Sequence, residues 1–134
     1  MFVDTAFWVA FSDRRDDHHR EALGLLHRYG ERQFVTTNHI RGETWSMLRR
    51  RASHADAVRF VDRLDRSPRV RVVFVTEELE EDAMRWLRRH DERVYSFVDA
   101  ASFAVMRVMR IGEALTFDED FAAAGFRIAR LEER

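Results

Sequence analysis

The chain has 134 residues, of which 24 are Asp or Glu and 23 are Arg with no Lys, for a formal charge of −1. Hydrophobic residues make up 46% and charged ones 35%, so a sizeable core can be buried, and neither a disordered nor a fibrous chain is expected. The lack of cysteine excludes disulfides, thiolate zinc sites and Cys nucleophiles, leaving oxygen or imidazole as ligands for any metal. A chain of this length is expected to form one domain over residues 1–134. No apolar run approaches the ~18–20 residues of a spanning helix, and the first residues lack the basic start of a signal peptide. A cytoplasmic protein with no membrane partner is expected.

Short β-rich runs alternate with longer amphipathic stretches, the pattern of an α/β domain with a central parallel sheet. A strand at Phe2–Val3 leads into a short turn near 6–11 and a helix over about 16–30. Phe34–Thr36 follows as a strand, with helices at about 38–51 and 54–65 behind it. Val70–Val75 is the third strand, and helices at about 77–89 and 97–110 come next. Ala114–Thr116, a short turn at 119–123 and Arg127–Ala129 complete the chain. Thr37, Ser53, Thr76 and Ser96 have the chemistry of N-caps, and Gly30, Gly112 and Gly125 sit where helices should stop. Pro68 closes the helix before the third strand.

The near-neutral sum hides an uneven distribution. Residues 41–72 hold nine Arg and four acids, whereas residues 73–93 hold four Arg and seven acids. The run Arg49-Arg50-Arg51 fits equally a solvated helix end that complements the dipole and a track for phosphates.

In open parallel sheets the ligand crevice lies beyond the carboxyl ends of the strands. Asp4 follows the first strand and Asp118 follows the fourth, although either is also explained as a turn or helix cap. Asp99 is more informative. Between Phe97 and Ile111 the only polar side chains are Asp99, Ser102, Arg107 and Arg110, which at ~100° per residue fall on one arc about 140° wide. The rest of that helix is apolar, so an Asp at its head is close to the core, even if it also closes a capping box with Ser96. Glu43 lies on the shoulder of the apolar arc formed by Ile40, Trp45, Met47 and Leu48, at a cleft edge or in solvent.

Four carboxylates gathered in one crevice would raise one another's pKa values unless a hard divalent cation neutralised them. With no Lys, no Cys and no paired His, oxygen ligands favour Mg²⁺ or Mn²⁺ over zinc. Such a cation supports hydrolysis of phosphodiesters. Motifs for dinucleotides, P-loop nucleotides, zinc proteases and serine hydrolases are missing. The six histidines are scattered, and the adjacent pair His18 and His19 cannot face one site on a helix.

The strings MFVDTAFWVAF, HIRGETWSML, YSFVDAASFAVM and ALTFDEDFAAAGF, in that order, resemble the PIN domain. More specifically, they resemble the virulence-associated protein C toxins of bacterial type II toxin–antitoxin systems. The likeness covers essentially the whole chain. It implies a three-layer α/β/α fold and an endoribonuclease whose Mg²⁺ or Mn²⁺ is held in an acidic crevice. The family's acidic quartet falls on Asp4, Glu43, Asp99 and Asp118, and its hydroxyl companions on Thr5, Ser96 and Thr116. Asp120 is the looser candidate, as a replacement for Asp118 or an addition to it, and like Glu119 it also fits a first-turn helix acid.

On this resemblance Asp4, Asp99 and Glu43 bind the cation directly, and Asp118 acts through water or a second ion. A metal-activated water attacks the phosphate and leaves 5′-phosphate and 3′-hydroxyl ends. The implied partners are an RNA substrate, a cognate antitoxin and a second copy of the chain as homodimer. Phe7, Trp8, Phe11, Trp45 and Leu48 would either line a groove for the antitoxin or belong to the core. The competing readings are a PIN-like module that binds RNA or a partner without turnover, and a nuclease directed at DNA.

Overall fold

Five short strands, β1 (Phe2–Val3), β2 (Phe34–Thr37), β3 (Val70–Val73), β4 (Glu113–Leu115) and β5 (Arg127–Ile128), join in a single sheet in a computed structural model that describes residues 1–131. Their order is β3-β2-β1-β4-β5 and every pairing is parallel, with Phe2 opposite Val35 on one side and Ala114 on the other. The central strand β1 is apolar throughout, since both faces of a parallel sheet are covered: Phe2 and Val3, with Ala114 and Leu115 of β4 beside them, are completely buried.

Parallel neighbours require crossovers, and crossovers are right-handed. From β1 to β2 to β3 the chain steps one way through α1 (Thr5–Ser12), α2 (His19–Arg28), α3 (Asn38–Arg51) and α4 (His54–Arg66). From β3 it doubles back across the sheet to β4 through α5 (Glu77–Arg89) and α6 (Phe97–Met109), and α7 (Asp120–Ala123) leads to β5. Reversing direction at constant handedness puts these last helices on the opposite face. Accordingly α1 packs on α2 and α3, and α3 on α4, while α5 packs on α6. The result is the expected α/β/α arrangement of three layers.

Helix starts follow local chemistry. The hydroxyls of Thr37, Ser53, Thr76 and Ser96 accept the backbone N–H groups of Ile40, Asp56, Leu79 and Asp99. The expected turn at 6–11 is a full helix because Asp4 caps it, accepting the Phe7 N–H at 3.2 Å. The helix expected from residue 16 starts only at His19, since Asp13 and Asp16 fold back on the N–H groups of Arg15 and His18 and spend those residues on turns. At its far end α2 stops at Arg28, short of Gly30, and α6 stops at Met109 with Arg110, rather than Gly112, as the residue that turns the chain. Arg110 takes the left-handed conformation at φ 58°, and bonds from Arg110 N–H to Arg107 O and from Ile111 N–H to Met106 O close a Schellman motif. The third strand ends at Val73 instead of Val75, because the Val75 N–H leaves the ladder for the Asn38 side chain at 2.8 Å.

The core settles the place of the aromatics near the start. Phe7, Trp8 and Leu48 are buried, with the Trp8 indole N–H donating to Thr36 Oγ1 at 3.3 Å, so they belong to the core. Phe11 and Trp45 are half-buried. Among the described residues no helix is long and apolar enough to cross a membrane.

Thr44 of α3 is fully buried, and its hydroxyl has no hydrogen-bond partner among the described residues. Val has nearly the same shape without the cost of a desolvated hydroxyl, so Thr44→Val is expected to stabilise the fold by about 1 kcal/mol. Urea denaturation should show a higher midpoint with an unchanged slope.

Candidate active site

The sheet changes winding direction at β1, whose neighbours β2 and β4 are reached by opposite routes. The crevice beyond their carboxyl ends is where such folds bind ligands. Asp4 leaves β1 at this point and Asp118 follows β4. The head of α6 brings Asp99 to the same place. One carboxylate oxygen from each of Asp4, Asp99 and Asp118 lies within 4.8 Å of the others, in a group that contains no histidine.

Each acid is held from behind. Thr116 Oγ1 donates to Asp4 Oδ2 at 2.8 Å while accepting the Asp118 N–H at 2.9 Å, so one hydroxyl ties the ends of β1 and β4 together. Asp99 is fixed by its reciprocal box with Ser96, whose N–H reaches Asp99 Oδ2 at 3.4 Å. The Asp120 N–H donates to Asp118 Oδ1 at 2.9 Å. An ionised carboxylate has about four acceptor positions, so all three keep capacity for a further ligand.

Glu43 and Asp120 stand apart from this group. Glu43 Oε1 accepts from Thr5 Oγ1 at 2.6 Å, which places it at the crevice edge through the residue next to Asp4. The Asp120 carboxylate is taken by Arg93, with Nε and Nη2 both 2.7 Å from Oδ1. The geometry therefore groups Asp118, rather than Glu43, with Asp4 and Asp99. Arg93 was not singled out in the sequence, because Asp91-Glu92-Arg93 reads as an exposed charged run and its partner is 27 residues away.

Burial dominates the electrostatics. It pushes the Asp4 carboxyl up to about 8, against the hydrogen bonds from Thr116 and Phe7, with the charges of Asp118 and Asp99 adding to the rise. Asp99 is raised to about 6 by burial and then by Asp118, and Asp118 is raised chiefly by burial. Three carboxylates that resist ionisation together form a site short of positive charge. Their donors are all oxygen and converge on one point, which fits a hard divalent cation such as Mg²⁺ or Mn²⁺.

Basic residues gather elsewhere. A cleft of about 920 Å³ opens at the other end of α1, where Arg14 and Arg15 meet Arg59 and Arg63 of α4. Asp56 pairs with Arg59, whereas the Arg63 guanidinium lies 5.2 Å from the Phe11 ring centroid.

The PIN domain family model matches residues 1–127. The chain belongs to the PIN domain family. The 23S rRNA-specific endonuclease VapC20 of two Mycobacterium tuberculosis strains is 49% identical over 132 residues, covering 98% of this chain and 99% of the relative. A crystal structure of M. tuberculosis VapC20, described as a sarcin-ricin loop cleaving toxin, aligns with a TM-score of 0.90 at 49% identity, over 96% of this chain and 98% of that one. The chain is thus a PIN domain of the VapC toxin group.

For this PIN domain the raised acid has a thermodynamic signature. Between pH 4 and 8 the unfolded chain has already ionised Asp4, while the metal-free folded chain retains its proton, so folding stability falls as pH rises through that window. Asp4→Asn removes the titration and keeps an N-cap side chain. In chelator, its melting temperature should exceed that of the wild type at pH 8, and the gap should close towards pH 4.

Proposed function

We propose that this chain is a cytoplasmic, Mg²⁺- or Mn²⁺-dependent endoribonuclease, the toxin of a type II toxin–antitoxin pair, acting on ribosomal RNA as its relatives' names describe. The observation that carries the reading is the meeting of Asp4, Asp99 and Asp118 within 4.8 Å, in a chain 49% identical to an rRNA endonuclease over nearly its full length.

In this reading Asp4, Asp99 and Asp118 hold the ion, and Glu43 serves at the crevice edge, where Thr5 fixes it. When bound, the cation supplies activation of the attacking water and neutralisation of the phosphate charge. The remaining work belongs to the chain. Thr116 sets the spacing between Asp4 and Asp118, and Ser96 fixes the direction of Asp99, so the carboxylates are oriented before substrate arrives. Arg14 and Arg63 in the basic cleft offer positive charge to an RNA backbone extending beyond the acids. Partners that go with the role are a cognate antitoxin and a second copy of the chain, and the single PIN domain is taken to extend over residues 1–134.

Purified protein should cleave a structured ribosomal RNA fragment with Mg²⁺ or Mn²⁺, stop on chelation, and spare DNA of matched sequence. Losing a partner that only orients a metal ligand costs 10–100-fold, so Asp4→Asn and Asp99→Asn should each cost at least about 100-fold. Equal cleavage by wild type and both variants would trace the activity to a contaminant and remove the reading.

Binding can be separated from turnover in the Asp4→Asn background. Replacing Arg14 and Arg63 with Ala there should weaken RNA binding. It should also flatten the slope of log affinity against log salt by ~0.7–0.9 for each phosphate that is no longer neutralised. An unchanged slope in filter-binding titrations would take the cleft off the RNA path.

A further inference from the structure

Asp120 is close enough to the crevice for its charge to raise Asp118 and Asp99, yet it is outside the group of converging oxygens. Its carboxylate is held instead by Arg93. This residue lies in the connection between α5 and α6, and its Nε and Nη2 both hold Asp120 Oδ1 at 2.7 Å. The contact is short and charge-assisted, with the Asp120 side chain only 18% exposed and that of Arg93 43% exposed. Arg93 is also the one cation among the chief influences on any of the three grouped carboxylates, acting on Asp118.

Two-metal sites that act on phosphodiesters hold their ions about 3.5–4 Å apart. The elements of a second position are present here. Asp118 would lie between the two ions, and Asp120, whose N–H is bonded to Asp118 Oδ1, would be a ligand of the outer one. A guanidinium is already seated on that ligand. It cannot be deprotonated, and it does not exchange with solution ions.

We propose that Arg93 stands in for a second divalent cation: by holding Asp120 it limits the crevice to one ion, bound by Asp4, Asp99 and Asp118. This rests on the cation reading given above and specifies its stoichiometry. Arg93 is then a positioning residue, acting through Asp120. The fixed charge makes the positive complement of the outer half of the crevice independent of the free metal concentration.

The test is calorimetric titration of the full chain with Mn²⁺, without RNA, with bound ions counted independently by electron paramagnetic resonance. Wild type, Arg93→Lys and Asp120→Asn should each bind one Mn²⁺. Arg93→Ala and Arg93→Gln, made in parallel at this exposed position, should bind two. The combined Arg93→Ala and Asp120→Asn variant should return to one. One ion at wild-type affinity in both Arg93→Ala and Arg93→Gln would overturn the inference alone. A second ion that persists in the combined variant would do the same, as would two ions in the wild type. No binding by wild type at millimolar Mn²⁺ would overturn the cation reading and this inference with it.

Discussion

The cost of keeping an ionised Asp4 out of water governs the carboxyl edge of the sheet. The residue cannot move outward, because its backbone joins the central strand to α1 and its side chain caps that helix. Nor is it relieved from within, since the charges that act on it most are those of the acids Asp118 and Asp99. The hydroxyl of Thr116 and the N–H of Phe7 offset part of the penalty by favouring the charged form. The remainder is a standing demand for positive charge at one point. A fold that only needed a helix cap there could use Ser or Asn at no such cost.

Alternation along the segment after β4 brings this about with few residues. Thr116 is buried and turned towards Asp4, and Asp118 returns to the crevice. Between them, Phe117 stacks on Phe7 with ring centroids 5.8 Å apart and on His18 at 4.3 Å. The polar residues that shape the site are therefore braced by an aromatic contact to α1 and to the turn that follows it. Neighbouring side chains divide the two tasks of anchoring the loop and presenting the acid.

Much of this was legible in the chain, and the boundary is physical. The caps at Thr37, Ser53, Thr76 and Ser96 depend on groups three residues away, so sequence alone carried them. Asp4, Asp99 and Asp118 could be singled out because each terminates or begins an element whose pattern was clear. Which acids converge was less visible. Glu43 is held by Thr5 across 38 positions and Asp120 by Arg93 across 27, and such partners are chosen by packing that no local period encodes. Whether Phe7, Trp8 and Leu48 line a groove or belong to the core stayed open in the sequence for a related reason: α1 packs against both α2 and α3, and a hydrophobic pattern does not say what covers it.

Helix α6 is closed at both ends, by the box of Ser96 and Asp99 and by the Schellman turn at Arg110, with Ala100 to Met106 buried between them. A rod clamped in this way has a fixed number of residues as well as a fixed position. Removing or adding one would rotate one end against the other by about 100°, swinging Asp99 out of the crevice or a buried side chain out of the core. The segment can thus absorb exchanges of one side chain for another far more readily than any change of length. Variation in this part of the molecule should consist of replacements, with insertions and deletions displaced into the connections on either side.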